Sequence, residues 1–326
     1  MITPSPGCGR GRTKEIHPVL NASLPRRSAV AVLAGVALVV SGCGGNSADT
    51  SSGGAAGSSS GALPTVSADD ALAGKVPDAI ASDGVITVGS DTTYPPAEFI
   101  GEDGQTIVGF DVDLFSLVAQ KLGLKAKFQT SSFDSLIAGV GSGKYEIGVS
   151  SFTINPDRMK QVNMVSYFNA GTQWATKKGN PSDVDPDNAC GKKIAVQKAT
   201  VQVDDVTARS AKCESAGDEA ITIDQYDGQD EATSAVVSGK DDAGLADYPV
   251  EVYAAQQSKG QLELLGDPYG AAPYGYAVQK AQTEFAQAIA DAVKSLIDDG
   301  SYEKVLKKLG VEGGAIDDPT VNPPVG

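Results

Sequence analysis

The side chains able to do chemistry are unevenly spread along this 326-residue sequence. It has one histidine, His17, and four cysteines, Cys8, Cys43, Cys190 and Cys213. Beyond residue 17 the chain offers no imidazole, which excludes Ser–His–Asp and Cys–His catalysis and histidine-ligated metal sites from everything downstream. What remains is arginine, carboxylates, amides, hydroxyls and aromatics. Four short stretches gather them: residues 90–96, 150–158, 197–200 and 246–249. Groups of this kind bind small zwitterions through charge-assisted hydrogen bonds, so their pattern points to binding rather than bond-making. No cofactor or metal is expected. The net charge of −15 also argues against nonspecific nucleic-acid binding, which needs clustered Lys and Arg to displace counterions.

Each stretch follows a segment with strand character, and those segments alternate with amphipathic ones. Strands are expected at 85–88, 126–129, 146–150, 193–197, 220–223 and 243–246. Helices are expected at 111–122, 133–140, 201–212, 230–238 and 249–256, with a final helical run over 283–309 broken at Gly300 and Ser301. Such alternation predicts open α/β sheets with helices on both faces. Ligands in such sheets sit beyond the carboxyl ends of strands, close to helix N-termini. The four stretches occupy those positions.

The N-terminal region reads differently. Arg26 and Arg27 precede an apolar run from Ala29 to Val40, too short to span a bilayer comfortably, which describes a secretory signal peptide over residues 1–42. The run ends in Val40-Ser41-Gly42-Cys43, which resembles the bacterial lipobox, so Cys43 is expected to be lipidated and to become the new N-terminus. Cleavage there removes His17, Cys8, five basic residues and one acid, leaving 21 basic against 40 acidic residues. Cys190 and Cys213 are then the remaining pair, and in an oxidising compartment they are expected to form a disulfide. Residues 43–75 are expected to act as a tether. The Gly, Ser and Ala of 44–62 cannot bury a core and would span on the order of 25 Å root-mean-square.

Two apparent motifs fail on inspection. Gly139-Val140-Gly141-Ser142-Gly143-Lys144 lacks the first glycine and the final Ser or Thr of a phosphate loop. Asp183, Asp185 and Asp187 begin like a calcium loop, but Asn188 and Ile194 stand where glycine and a bidentate Glu belong.

The ordered set of motifs resembles a known family. Asp91-Thr92-Thr93-Tyr94-Pro95-Pro96-Ala97-Glu98-Phe99, Val108-Gly109-Phe110-Asp111-Val112-Asp113-Leu114, Phe133-Asp134-Ser135-Leu136-Ile137, Thr153-Ile154-Asn155-Pro156-Asp157-Arg158, Ala246-Asp247-Tyr248-Pro249 and Tyr274-Gly275-Tyr276-Ala277-Val278 are similar to polar amino-acid-binding proteins of bacterial ABC importers, in the same order. The resemblance covers residues 85–310. It implies a type II periplasmic-binding-protein-like fold: two α/β lobes joined by a two-strand hinge and closing on ligand. Lobe 1 would be 76–167 plus 274–312, lobe 2 would be 168–273, and 313–326 a tail. The hinge crossovers would lie at 168–172 and 268–273.

The resemblance also assigns residues. Arg158 matches the arginine that grips a ligand α-carboxylate. Asp247 matches the acid for the α-ammonium. Ser151 and Thr153 match backbone and hydroxyl contacts beside Ser150. Thr200 matches a second carboxylate clamp. Tyr94 and Phe133 match aromatics that sandwich the ligand side chain, and Asp91 and Gln197 match positions facing it. Asp111 and Asp113 are expected to serve only the electrostatics of a helix N-terminus. Ala199 departs from the pattern, standing where glycine commonly precedes the threonine.

The implied function is a monomeric receptor, anchored to the cell membrane outside the cytoplasm, that hands a polar L-amino acid to an ABC permease and its ATPase. The alternatives are an enzyme on the same fold, resembling cyclic amino-acid dehydratases, or a ligand-sensing surface lipoprotein.

Overall fold

The computed structural model describes residues 63–325. The leader, His17, Cys43 and the stretch 44–62 lie outside them. Helical turns α1 (Asp70–Ala73) and α2 (Asp78–Ala81) lead into β1 (Val85–Ser90). A small antiparallel sheet follows, made of β2 (Thr93–Tyr94), β3 (Glu98–Ile100) and β4 (Ile107–Val108). Then come α3 (Phe110–Lys121), β5 (Lys125–Thr130), α4 (Phe133–Gly141), β6 (Ile147–Gly148) and α5 (Pro156–Gln161). The long strand β7 (Val162–Lys177) crosses to a second run of β8 (Lys193–Gln197), α6 (Val201–Ala216), β9 (Thr222–Tyr226), α7 (Gln229–Ser238), β10 (Ala243–Asp247) and α8 (Tyr248–Gln257). Strand β11 (Leu262–Gln279) returns, and α9 (Thr283–Asp298) and α10 (Ser301–Leu309) finish the first lobe. The break between these two helices is Gly300, whose φ of 74° suits a residue without Cβ.

The main sheet has eight strands in the order β5-β1-β6-β11-β7-β10-β8-β9. β1 runs parallel to β5 and β6, and β8 runs parallel to β9 and β10. β7 and β11 are antiparallel to each other and to their outer neighbours. The protein is therefore a two-lobe α/β type II fold in which two parallel half-sheets meet through two shared strands.

The hinge crossovers were expected at 168–172 and 268–273. Those residues lie inside β7 and β11, which are 16 and 18 residues long and pass through both lobes. A ladder between the two strands joins the lobes, with pairs at Leu265–Trp174, Tyr269–Thr172 and Ala272–Ala170 across the junction. Register shifts between Leu265 and Tyr269, Tyr269 and Ala272, and Tyr274 and Gly275 let it bend. The expected strand at 146–150 shortens to Ile147–Gly148, because Ser150 and Ser151 turn away to bond to side chains.

Lobe 1 buries α3 against α9 through Leu117, Val118, Ile289, Val293 and Leu296. Lobe 2 packs Trp174, Ile194, Val196, Val206 and Leu245 beside the Cys190–Cys213 disulfide. Packing begins before residue 76. Leu72 and Val76 are buried in the first core, Leu63 and Val66 pack on it, and Asp69 caps α1. The tether as drawn to residue 75 thus ends too late, because its last apolar residues have a core to join. Residues past 312 pack as well. Val321 bridges Val165, and Asn322 Oδ1 accepts from Met164 N at 2.9 Å.

Candidate functional site

Between the lobes lies a narrow hollow with free space for about one water molecule. All ten residues proposed from sequence line it: Asp91, Tyr94, Phe133, Ser150, Ser151, Thr153, Arg158, Gln197, Thr200 and Asp247. Val201 and Gln202 complete the wall.

Arg158 is held by a helix start written in the sequence. Asn155 caps α5, accepting from Arg158 N at 2.8 Å, and Pro156 occupies the first turn. The guanidinium donates to Thr153 O at 2.7 Å in its own lobe and to Ala199 O at 3.0 Å in the other. It lies 5.3 Å from the Phe133 ring centroid and 5.7 Å from that of Phe152. The side chain is 8% exposed. Burial pulls its pKa down to about 10, against the opposing pull of Asp247 and Asp204, and it stays charged at neutral pH. Ala199 has φ 61°. That explains why glycine suits this position, and the observed alanine carries a left-handed cost of about 1–2 kcal/mol.

Asp247 ends β10 and starts α8, yet its carboxylate makes no capping bond. It turns into the hollow, where Oδ2 accepts from Tyr274 OH at 2.6 Å and from Tyr94 OH at 2.9 Å. Oδ1 accepts from Gln202 Nε2 at 2.8 Å. Burial raises the Asp247 pKa, and the three donors and Arg158 oppose it. Burial and the Asp247 charge push both tyrosines well above the phenol range, so they stay donors.

Asp91 ends β1. Its Oδ1 accepts from Thr93 N and Thr93 Oγ1, and its Oδ2 from Phe133 N and Gln197 Nε2, the last two at 2.9 Å. Burial raises its pKa despite these bonds. Gln197 comes from the far lobe and also bonds Asp227 O. Thr200 precedes α6 and donates to Gln197 O. Thr153 bridges Tyr274 across the ladder.

Gln202 escaped the sequence reading. It sits in the first turn of α6, just after Thr200, and joins Thr172 of β7 to Asp247. Its position at a helix start already placed at the site was the available signal. Asp111 also differs from expectation. It does begin α3, but its carboxylate is wholly buried and accepts from Ser151 N at 3.0 Å and Tyr167 OH at 2.5 Å. It points behind the site because β3 packs on the start of α3. Asp113 pairs with Lys308 at 2.8 Å.

Among the described residues no cluster of three or more His, Cys, Asp and Glu is arranged to hold a metal, and no helix is long and apolar enough to cross a membrane.

Residues 86–312 match the model of bacterial extracellular solute-binding proteins, family 3. The chain belongs to this family. The solute-binding protein is 40% identical over 248 residues to the arginine-binding protein ArgT of Corynebacterium glutamicum, covering 76% of this chain and 81% of that one. It superposes on an ancestral arginine-binding protein bound to arginine with a TM-score of 0.64 and 33% identity, covering 69% and 98% of the two chains. A second ancestral structure, bound to glutamine, gives 0.65 and 32%, with 70% and 99% covered. These relatives are binding proteins, and the solute-binding protein is likewise not an enzyme.

Proposed function

We propose that this protein is a lipid-anchored receptor that captures a cationic L-amino acid, arginine above all, and delivers it to an ABC importer. The charge balance of the closed cleft carries the reading. Arg158 would pair the α-carboxylate through its planar fork. Asp247, already surrounded by Tyr94, Tyr274 and Gln202, would take the α-ammonium. That leaves Asp91 as a second buried acid that pairs with no cation among the described residues, and Gln197 Nε2 as the neutral side-chain group of the other lobe that faces it. A guanidinium or ammonium side chain would displace that amide and cancel the charge. The arginine named for the 40%-identical relative supports the same choice. Thr153, Ser151 and Thr200 would supply the remaining polar contacts, with Tyr94 and Phe133 flanking the side chain. Closure follows because a ligand touching both lobes binds the closed form more tightly than the open one.

Cys43 would fix the receptor to the membrane surface, with the Gly/Ser/Ala stretch giving it reach, and a monomer suffices for that role. A thermal-shift screen against the twenty L-amino acids, ornithine and cystine, followed by calorimetry, tests the ligand. Arginine, lysine or ornithine should give the largest stabilisation. Larger shifts with glutamate or leucine would overturn the cationic reading. Metabolic labelling with a fatty-acid probe tests the anchor, which a Cys43→Ala chain should lose.

A further inference from the structure

Glu98 and Asp111 lie behind the cleft, outside the ring of residues that lines it, and neither side chain is exposed. The backbone forces them together. Phe110 N and Asp111 N donate to the carbonyls of Pro96 and Ala97 at 3.1 Å. Gly109, at φ 136°, approaches so closely that a Cβ there would stand 2.0 Å from Ala97 O. The two carboxyl groups come close enough that one serine hydroxyl, that of Ser151, reaches an oxygen of each.

Four donor groups converge on the pair. Ser150 Oγ donates to Glu98 Oε1 at 3.0 Å. Ser151 N and Tyr167 OH both donate to Asp111 Oδ2. Ser151 Oγ stands 3.3 Å from both Glu98 Oε2 and Asp111 Oδ2, with one proton to give. Asp111 Oδ1 is buried and has no donor. The other titratable groups facing the pair are Asp91 at the end of β1, Tyr94 of β2, Tyr167 of β7, Tyr276 of β11 and Tyr302 of α10. Among the described residues no lysine or arginine bonds to either carboxyl. Two carboxylates this close and this dry do not both ionise. Burial pushes the Asp111 carboxyl up to about 6 and Glu98 well above its usual range.

We propose that Glu98 and Asp111 are positioning residues that share one proton, and that this proton holds Ser151 in its binding position. Carried on Glu98, it supplies a donor where two ionised carboxylates would set acceptor against acceptor. Ser151 has φ 47°, a left-handed conformation that a serine adopts at a cost. Its N–H bond to Asp111 holds it there. Loss of the proton sets two like charges against each other directly behind Ser150 and Ser151 and loosens that wall of the cleft. Tyr167, on the hinge strand β7, belongs to the same network. The effect on ligand rests on the amino-acid-receptor reading; the shared proton does not.

The test uses a Glu251→Gln background, which removes another buried acid, and adds Glu98→Gln, whose amide keeps a donor without a titratable proton. Infrared spectroscopy of the ligand-free protein at neutral pH should show a carboxylic-acid C=O stretch that diminishes on adding Glu98→Gln. An unchanged band overturns the shared proton. Calorimetry with L-arginine on raising the pH from 7 to 9 should show the parent losing about tenfold more affinity than the variant, since it alone sheds the proton. Parallel profiles overturn the role in ligand capture. If neither protein binds arginine, the receptor reading fails while the infrared measurement still decides the shared proton.

Discussion

Gln197 Nε2 lies 2.9 Å from Asp91 Oδ2, so an amide of one lobe occupies the acceptor that the other lobe offers to the cleft. A cationic ligand side chain would compete for that acceptor. The Asp91→Asn variant should therefore lose affinity for L-arginine by roughly 10- to 100-fold, the worth of one charge-assisted hydrogen bond of about 1.5–3 kcal/mol. Its affinity for L-glutamine should change much less. Calorimetry with both ligands checks this, and equal losses would show that Asp91 does not read the side chain.

Arg158 donates to a carbonyl in each lobe through two different nitrogens. Lysine carries the charge but lacks the planar fork. Arg158→Lys should weaken every amino-acid ligand by about tenfold or more, because all share the α-carboxylate. Both acceptors are carbonyls, so the ligand-free protein should keep its thermal midpoint within about 4 °C, equivalent to roughly 1 kcal/mol. Unaltered affinity would remove Arg158 from the site.

Glu251 of α8 is buried beside Ala175, Ala232, Val236 and Leu262. Burial first, and the Asp247 charge second, raise its pKa from 4.5 to about 8. Across that window the folded state holds a proton that the unfolded state has lost. The stability is fully present at acid pH and is lost as pH rises towards 8, with a linkage slope of about 1.4 kcal/mol per pH unit. Chemical denaturation at pH 5, 6, 7 and 8 should show Glu251→Gln declining less steeply than the parent by about that slope. Identical slopes would mean that Glu251 is ionised at neutral pH.

The disulfide Cys190–Cys213 closes a loop of sequence separation 23 beside the second core. Replacing both cysteines by alanine should lower unfolding stability by about 2–4 kcal/mol. Neither cysteine lines the hollow, so ligand affinity at a temperature where the variant stays folded should hold within about threefold, a coupling under 1 kcal/mol. Urea titration and calorimetry on the same sample separate the two effects. A large affinity loss without destabilisation would reverse the assignment.

The segments that carry the site were legible because each follows a strand, and the family resemblance singled out the residues within them. Asn155-Pro156 announces α5 and delivers Arg158; Tyr248-Pro249 follows Asp247 into α8. These are local rules of capping and backbone restriction, and the sequence carries them. It also carries the β–α alternation, the break at Gly300, and the lack of imidazole after residue 17 that excludes histidine-based catalysis. Tertiary structure alone decided what is non-local. It merged two half-sheets into one through β7 and β11, and it set Gln197 on Asp91 across 106 residues of chain. It also moved Asp111 from an ordinary helix start to a buried acid facing Glu98. Periodicity reports which face of an element is apolar. It cannot report which distant element covers that face, and the charge state of a buried carboxyl depends on that cover.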